Sequence, residues 1–160
     1  MTKDLNGSGK TLTVVALRLG ERIFAIETSA VLEILSPIPV TRVPHGGAFA
    51  QGVINVRGGV VPLADLRVIF SIPKRPVDQD TRILVLQIPI ENEQITVGIT
   101  ADEVREVITI DCGRIEPLPP TGTIWPADYV RGLVQGPEGI TILPDLNAIF
   151  AAHIATANAL

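Results

Sequence analysis

Cysteine, histidine and aromatic residues are all scarce in this chain. Cys112 is the only cysteine, which excludes a disulfide framework and a cysteine-based zinc site. The two histidines are His45 and His153. Neither has a partner at metal-ligand spacing, and His45 falls in the turn-like Pro44-His45-Gly46-Gly47. The aromatic residues are Phe24, Phe49, Phe70, Trp125, Tyr129 and Phe150. Thirteen basic against seventeen acidic side chains give a net charge of −4, and the only adjacent basic pair is Lys74-Arg75. A nucleic-acid surface needs a basic stripe interleaved with stacking rings, so that class is disfavoured and no nucleic-acid partner is expected. The longest charge-free stretches, residues 43–56 and 146–160, fall short of the roughly 20 apolar residues of a membrane span. The opening MTKDLNGSGK has no apolar h-region and reads as a polar tail over residues 1–10, so the expected location is cytoplasmic without membrane insertion.

What is present is 160 residues, 46% of them hydrophobic, with a mean hydropathy of +0.38. That composition folds. Fourteen glycines and thirteen prolines punctuate short runs rich in Val, Ile and Thr, which is a strand signature. Strands are expected at residues 11–19, 22–26, 32–36, 52–55, 60–62, 82–90, 94–99, 104–110, 131–134 and 141–143. Ile83-Leu84-Val85-Leu86 is apolar on successive residues, as in a strand buried on both faces. Two short helical patterns follow Asp65 and Asp145, each aspartate being a plausible N-cap.

The chain also repeats. A shift of 80 residues lays 52–70 over 132–150 without a gap, and seven of the nineteen positions are identical: Gly52/Gly132, Gly59/Gly139, Leu63/Leu143, Asp65/Asp145, Leu66/Leu146, Ile69/Ile149 and Phe70/Phe150. A shift of 73 lays Val31-Leu32-Glu33-Ile34 over Val104-Arg105-Glu106-Val107. Two similar β-rich lobes of about 70 residues each are implied, joined through residues 73–80 and sharing a packed interface.

Catalytic constellations fail inspection. Gly9-Lys10-Thr11 resembles the end of a phosphate loop, but Asp4 stands where the first glycine belongs. Asp65 and Asp145 are paired by the repeat, yet neither precedes the Thr-Gly or Ser-Gly of a catalytic aspartate dyad, so both read as caps. His153 lies near the expected end of a helix, where a dipole would favour its cation. Cys112 has no assigned function, and no serine sits in a nucleophile elbow. No enzyme, cofactor or metal is expected.

The polar residues that stand out are Asn55 and Arg57, inside the apolar run Gly52-Val53-Ile54-Asn55-Val56-Arg57-Gly58. Asn55 can fix a turn through backbone bonds. A guanidinium among apolar strands needs a carboxylate, and Glu33 is the best candidate, with both groups expected to be partly enclosed. The second repeat has Gln135 and Pro137 at these positions. The polar pair is therefore not required by the fold of a lobe.

Together Val31-x-Glu33-Ile34, Arg42-Val43-Pro44, Gly52-x-x-Asn55-x-Arg57-Gly58-x-x-x-Pro62-x-x-Asp65-Leu66, Val97-Gly98-Ile99, Tyr129-x-x-Gly132 and Ile142-Leu143-x-Asp145-Leu146 resemble the CheW family of chemotaxis coupling proteins. The resemblance covers residues 11–152, leaving 153–160 as a C-terminal tail. It implies an all-β fold with short helices, built of two packed five-stranded SH3-like β-barrel lobes, about 11–77 and 78–152. It implies a non-catalytic adaptor in chemotaxis signal transduction, whose partners are the cytoplasmic hairpin tip of chemoreceptors and the regulatory domain of a CheA-type histidine kinase, gathered in membrane-associated receptor arrays. The family's receptor groove maps onto Val31, Gly52, Asn55, Arg57, Gly58, Gly98 and Val104, and its kinase-facing stretch onto Ile38 and Val40. Val31 and Val104 would face each other across the junction. The alternatives are an adaptor of the same fold in a type IV pilus motility or phototaxis pathway and, more remotely, a nucleic-acid-binding β-barrel.

Overall fold

The fold follows from apolar strands interrupted by turn residues. The computed structural model describes residues 9–43, 49–119 and 125–158; His45, Pro44 and most of the expected N-terminal tail lie outside them. Ten strands are present: β1 Thr11–Leu19, β2 Arg22–Glu27, β3 Val31–Leu35, β4 Ala50–Val56, β5 Gly59–Ala64, β6 Arg82–Ile90, β7 Glu93–Ala101, β8 Glu103–Asp111, β9 Val130–Gly136 and β10 Gly139–Pro144. All ten expected strands appear, several a residue or two longer than the alternation alone marks. Two helices follow the aspartates, α1 Leu66–Ile69 and α2 Leu146–Asn158. Asp65 accepts from the Arg67 amide and Asp145 from the Ala148 amide, each at 3.0 Å, so both cap a helix. Residues 153–158 continue α2 and do not form the expected tail; five of the 13 residues of the helix are alanine, the strongest helix former.

The strands form two five-stranded sheets, ordered β8-β1-β2-β10-β9 and β3-β6-β7-β5-β4. Each sheet therefore takes strands from both halves of the sequence. The expected boundary at 77/78 does not separate the sheets. After β2 the chain passes through a 3-10 turn at Thr28–Ala30 into the other sheet, where β3 pairs with β6; β8 reciprocally pairs with β1. The repeat is real at the level of the hairpin and helix: β4-β5-α1 and β9-β10-α2 begin 80 residues apart.

Neither sheet closes into a barrel, because the terminal strands β8 and β9, and β3 and β4, do not pair. The segment after each edge strand instead crosses to the opposite edge and makes one bridge. Thr41 exchanges hydrogen bonds with Val53 at 2.9 and 2.8 Å, and Glu116 with Leu133 at 2.8 Å. The repeated glycines explain how the crossing segments fit. A Cβ on Gly52 would lie 2.2 Å from the Thr41 carbonyl oxygen, and one on Gly132 would lie 2.5 Å from Ile115 Cγ2.

The largest core cluster lies between the sheets. Leu17, Leu19, Phe24 and Ile26 of the first sheet meet Leu84, Leu86, Ile88, Val97 and Ile99 of the second, with Leu66, Phe70, Ile149 and Phe150 from the helical ends. Phe24 and Phe70 meet edge to face at 5.0 Å. Smaller clusters lie on the inner face of each sheet, around Val14, Ala25, Val134 and Leu143 in the first and Ile54, Val61, Leu63 and Ile83 in the second. Residues 83–86 are thus buried on both faces, as their unbroken apolarity requires.

Candidate functional site

The β4–β5 hairpin carries the polar residues singled out above. Arg57 and Gly58 form its two-residue turn, with φ of 52° and 84°. Positive φ at both turn positions matches the twist of the flanking strands. Gly58 tolerates it freely, whereas Arg57 is held there by its surroundings. The Gly58 amide donates to Asn55 Oδ1 at 3.0 Å. Arg57 donates to Glu33 through Nε at 3.0 Å and Nη2 at 2.7 Å, a bidentate fork matched to a carboxylate. The hydrogen bonds from Arg57 hold the Glu33 carboxyl below the ordinary glutamate range, against the opposing pull of desolvation. Glu33 in turn raises the Arg57 guanidinium.

The partner is the one expected, but the setting differs. The Arg57 side chain is 79% exposed and that of Glu33 22%, because the tip of a hairpin projects from the sheet. The pair spans the two free edges of the second sheet, from β3 to the β4–β5 turn. A charge-reversed counterpart spans the first sheet, where Arg105 of β8 donates to Glu138 of the β9–β10 turn.

The remaining candidates fall into three places. Val31 and Val104 are half-buried and both pack against the central cluster. Ile38 packs on the inner cluster of the second sheet and shares one depression with Pro39, Thr41, Val53, Asn55 and Val60. Val40 lies beside it at 41% exposure and Val60 at 73%. Asn55, assigned by resemblance to the receptor groove, thus borders the stretch assigned to the kinase. Gly52 and Gly98 are buried; a Cβ on Gly98 would meet Leu63 Cδ1 at 3.2 Å, so these glycines shape the floor and present no side chain.

Sequence reasoning passed over a buried ion network. Arg67 donates to Asp65 through Nε at 2.9 Å and Nη2 at 3.0 Å, and to Asp102 through Nη1 at 2.9 Å. The other Asp102 oxygen accepts from the Gly20 amide at 2.6 Å, and the Asp102 amide donates to the Arg18 carbonyl at 2.9 Å. Burial alone would lower the Arg67 basicity; the hydrogen bonds and charge of Asp65, with the charge of Asp102, hold it above the ordinary arginine value. The network joins α1 and the end of β7 to the β1–β2 turn, and so joins the two sheets. Asp65 was legible as a cap; only Arg67 two residues on, a charge in the first turn of an apolar helix pattern, could have hinted at more.

The histidine is a packing residue. His153 lies within α2, with Nδ1 bonded to the Ile149 carbonyl at 2.7 Å and its ring 4.5 Å from that of Phe49 and 5.9 Å from that of Tyr129. It is not at the helix end. Among the described residues no cluster of three His, Cys, Asp or Glu side chains could hold a metal ion, and no helix is long and apolar enough to cross a membrane.

The chain matches the CheW-like domain family over residues 13–153, and it belongs to that family of chemotaxis scaffolding and coupling proteins. It is 29% identical over 149 residues to the "Probable chemotaxis protein CheW" of Rhizobium etli, covering 93% of this chain and 92% of the relative. It is 32% identical over 135 residues to "Chemotaxis protein CheW" of Klebsiella aerogenes, covering 84% and 79%. Among solved structures, the crystal structure of scaffolding protein TtCheW from Thermoanaerobacter tengcongensis superposes with a TM-score of 0.78 at 31% identity, covering 88% of each chain.

Proposed function

We propose that this chain is a non-catalytic cytoplasmic adaptor that couples the hairpin tip of chemoreceptors to the regulatory domain of a CheA-type histidine kinase, and that it is recruited with them to membrane-associated arrays. Membership of the CheW family supports the role. The observation that carries the placement of the site is the Glu33–Arg57 pair: Glu33 shares β3 with the half-buried Val31, and the exposed Arg57 sits in the turn bonded to Asn55, which lines the depression beside Ile38.

In this reading Val31 and Val104 offer apolar contacts at the lobe junction to the amphipathic hairpin of a receptor, which supplies anchors at helical spacing. Asn55, Arg57 and Gly58 form its polar border, while Gly52 and Gly98 shape it from beneath. Ile38 and Val40, backed by Val60, face the kinase. Pro37 and Pro39 interrupt that segment and have no amide hydrogen, so side chains rather than a long strand ladder carry this contact.

Titration calorimetry against the kinase regulatory domain and against a receptor hairpin tests the reading. Val31→Asp is expected to abolish receptor binding and leave kinase binding, and Val40→Asp to do the reverse, with thermal melts verifying that each variant is folded. Folded variants that bind both partners as the parent does would overturn the placement.

A further inference from the structure

We propose that the hollow inside the first sheet is a binding site for a neutral, ring-sized apolar molecule carrying at most one hydroxyl. A cavity of about 180 Å³ opens there between β8 and the β9–β10 turn. Its walls are inward-facing side chains: Ala16, Ile23, Ile108, Ile110, Val134 and Thr141. An apolar cavity of roughly 150 Å³ stays dry and accepts benzene, so this one has the capacity for a single ring.

The repeat provides an internal comparison. Under the 80-residue shift Gly136 corresponds to Val56 and Val134 to Ile54. The strand pairing sets Ala16, opposite Ala25, in the place that Val85, opposite Gly98, takes in the second sheet. At three of these positions the first sheet has the smaller residue, Gly136 for Val56, Val134 for Ile54 and Ala16 for Val85, while Ala25 is larger than Gly98. In the second sheet Ile54 and Val61 are buried in the inner cluster and Val56 packs against it, with Val85 2% exposed. The same architecture is filled in one lobe and hollow in the other. The hollow borders the three positions where the side chains are smaller.

The mouth sets the charge of the ligand. Arg105 and Arg114 stand there with Glu106 and Glu138. Arg105 is taken up by Glu138, and Arg114 donates to the Gln135 carbonyl at 3.0 Å. The four charges cancel, so the entrance favours neither an anion nor a cation. Inside, the Thr141 hydroxyl takes the place of a Val61 methyl and bonds to no other described residue, which leaves it available to one polar group.

The test is titration of the full-length chain with toluene, benzyl alcohol and benzoate, followed by amide NMR. Toluene and benzyl alcohol are expected to bind saturably with Kd on the order of 1 mM, as befits seven or eight heavy atoms, shifting the amides of Ala16, Ile108, Ile110 and Thr141. Benzoate, which puts a charged carboxylate on the same ring, is expected to bind about tenfold more weakly. Ala16→Val with Gly136→Val copies the filled lobe and is expected to weaken toluene binding about tenfold or more while keeping the melting temperature. Gly136→Val alone, where the added Cβ meets only the Gly139 carbonyl at 3.6 Å, keeps the test available if the double variant misfolds. Absence of saturation up to the toluene solubility limit, shifts centred elsewhere, or unchanged affinity in a folded filled variant would each overturn the proposal.

Discussion

Arg67→Ala is the sharpest perturbation of the structure. The Arg67 side chain is 5% exposed and those of Asp65 and Asp102 are 0% and 6%, so its removal strands two buried carboxylates. Asp65 keeps the Arg67 amide at 3.0 Å and a distant Lys74 at 3.7 Å. Asp102 keeps the Gly20 amide. Breaking a buried charge pair by deleting one partner costs about 3–5 kcal/mol. For a chain of this size each kcal/mol lowers Tm by about 2–4 °C, so the expected fall is roughly 6–20 °C. Urea unfolding at neutral pH reads the free energy directly, and scanning calorimetry reads the Tm. Amide exchange adds a local probe, because Gly20 is expected to lose protection when Asp102 loses its anchor. Arg67→Lys is expected to fall between, since one ammonium cannot fork to Asp65 and also reach Asp102. A loss below about 1 kcal/mol, the size of an exposed pair, together with unchanged Gly20 protection, would refute the claim that this network holds the sheets together.

Other perturbations probe separate features. Glu33 titrates below its ordinary range; the stabilisation from its pair with Arg57 is therefore present above the ordinary glutamate range and lost as pH falls through the lowered value. Carbon-detected NMR titration is expected to show this, and Arg57→Ala to return Glu33 towards its usual pKa. Gly52→Ala places a methyl against the Thr41 carbonyl, and chemical denaturation is expected to report a loss of about 1–3 kcal/mol, the cost of overpacking. Asp145→Ala removes the cap of α2, with an expected loss of about 1 kcal/mol by the same assay.

The strands were legible because each is a short apolar run ended by glycine, proline or a polar turn, and β1 and β6 were readable to the residue. Their partners were not. Pairing β1 with β8, or β3 with β6, depends on a crossing between sheets that leaves no local trace, and a repeat naturally suggests that each copy pairs with itself. The link between Glu33 and Arg57 was legible because few charges interrupt apolar strands in the first half. The exposure of Arg57 was not, since it depends on the turn falling at Arg57 rather than one strand residue earlier, whereas Glu33 is partly enclosed as expected. The role of Gly52 became visible only with Thr41 lying over it, and that of Arg67 only with Asp102 brought near from 35 residues away.

The exchange of strands between halves also decides where the molecule can be divided. Four of its eight strand pairings, β1 with β8, β2 with β10, β3 with β6 and β5 with β7, join one half of the chain to the other. The connection at 73–80 is exposed throughout and belongs to neither sheet. A protease nick there leaves two pieces that still grip each other along four ladders, whereas no single cut releases a lobe. The two pieces are thus expected to stay associated after a cut at the connection between the copies of the repeat. A pair of reporter fragments divided there reads the assembly of the whole scaffold rather than of either lobe.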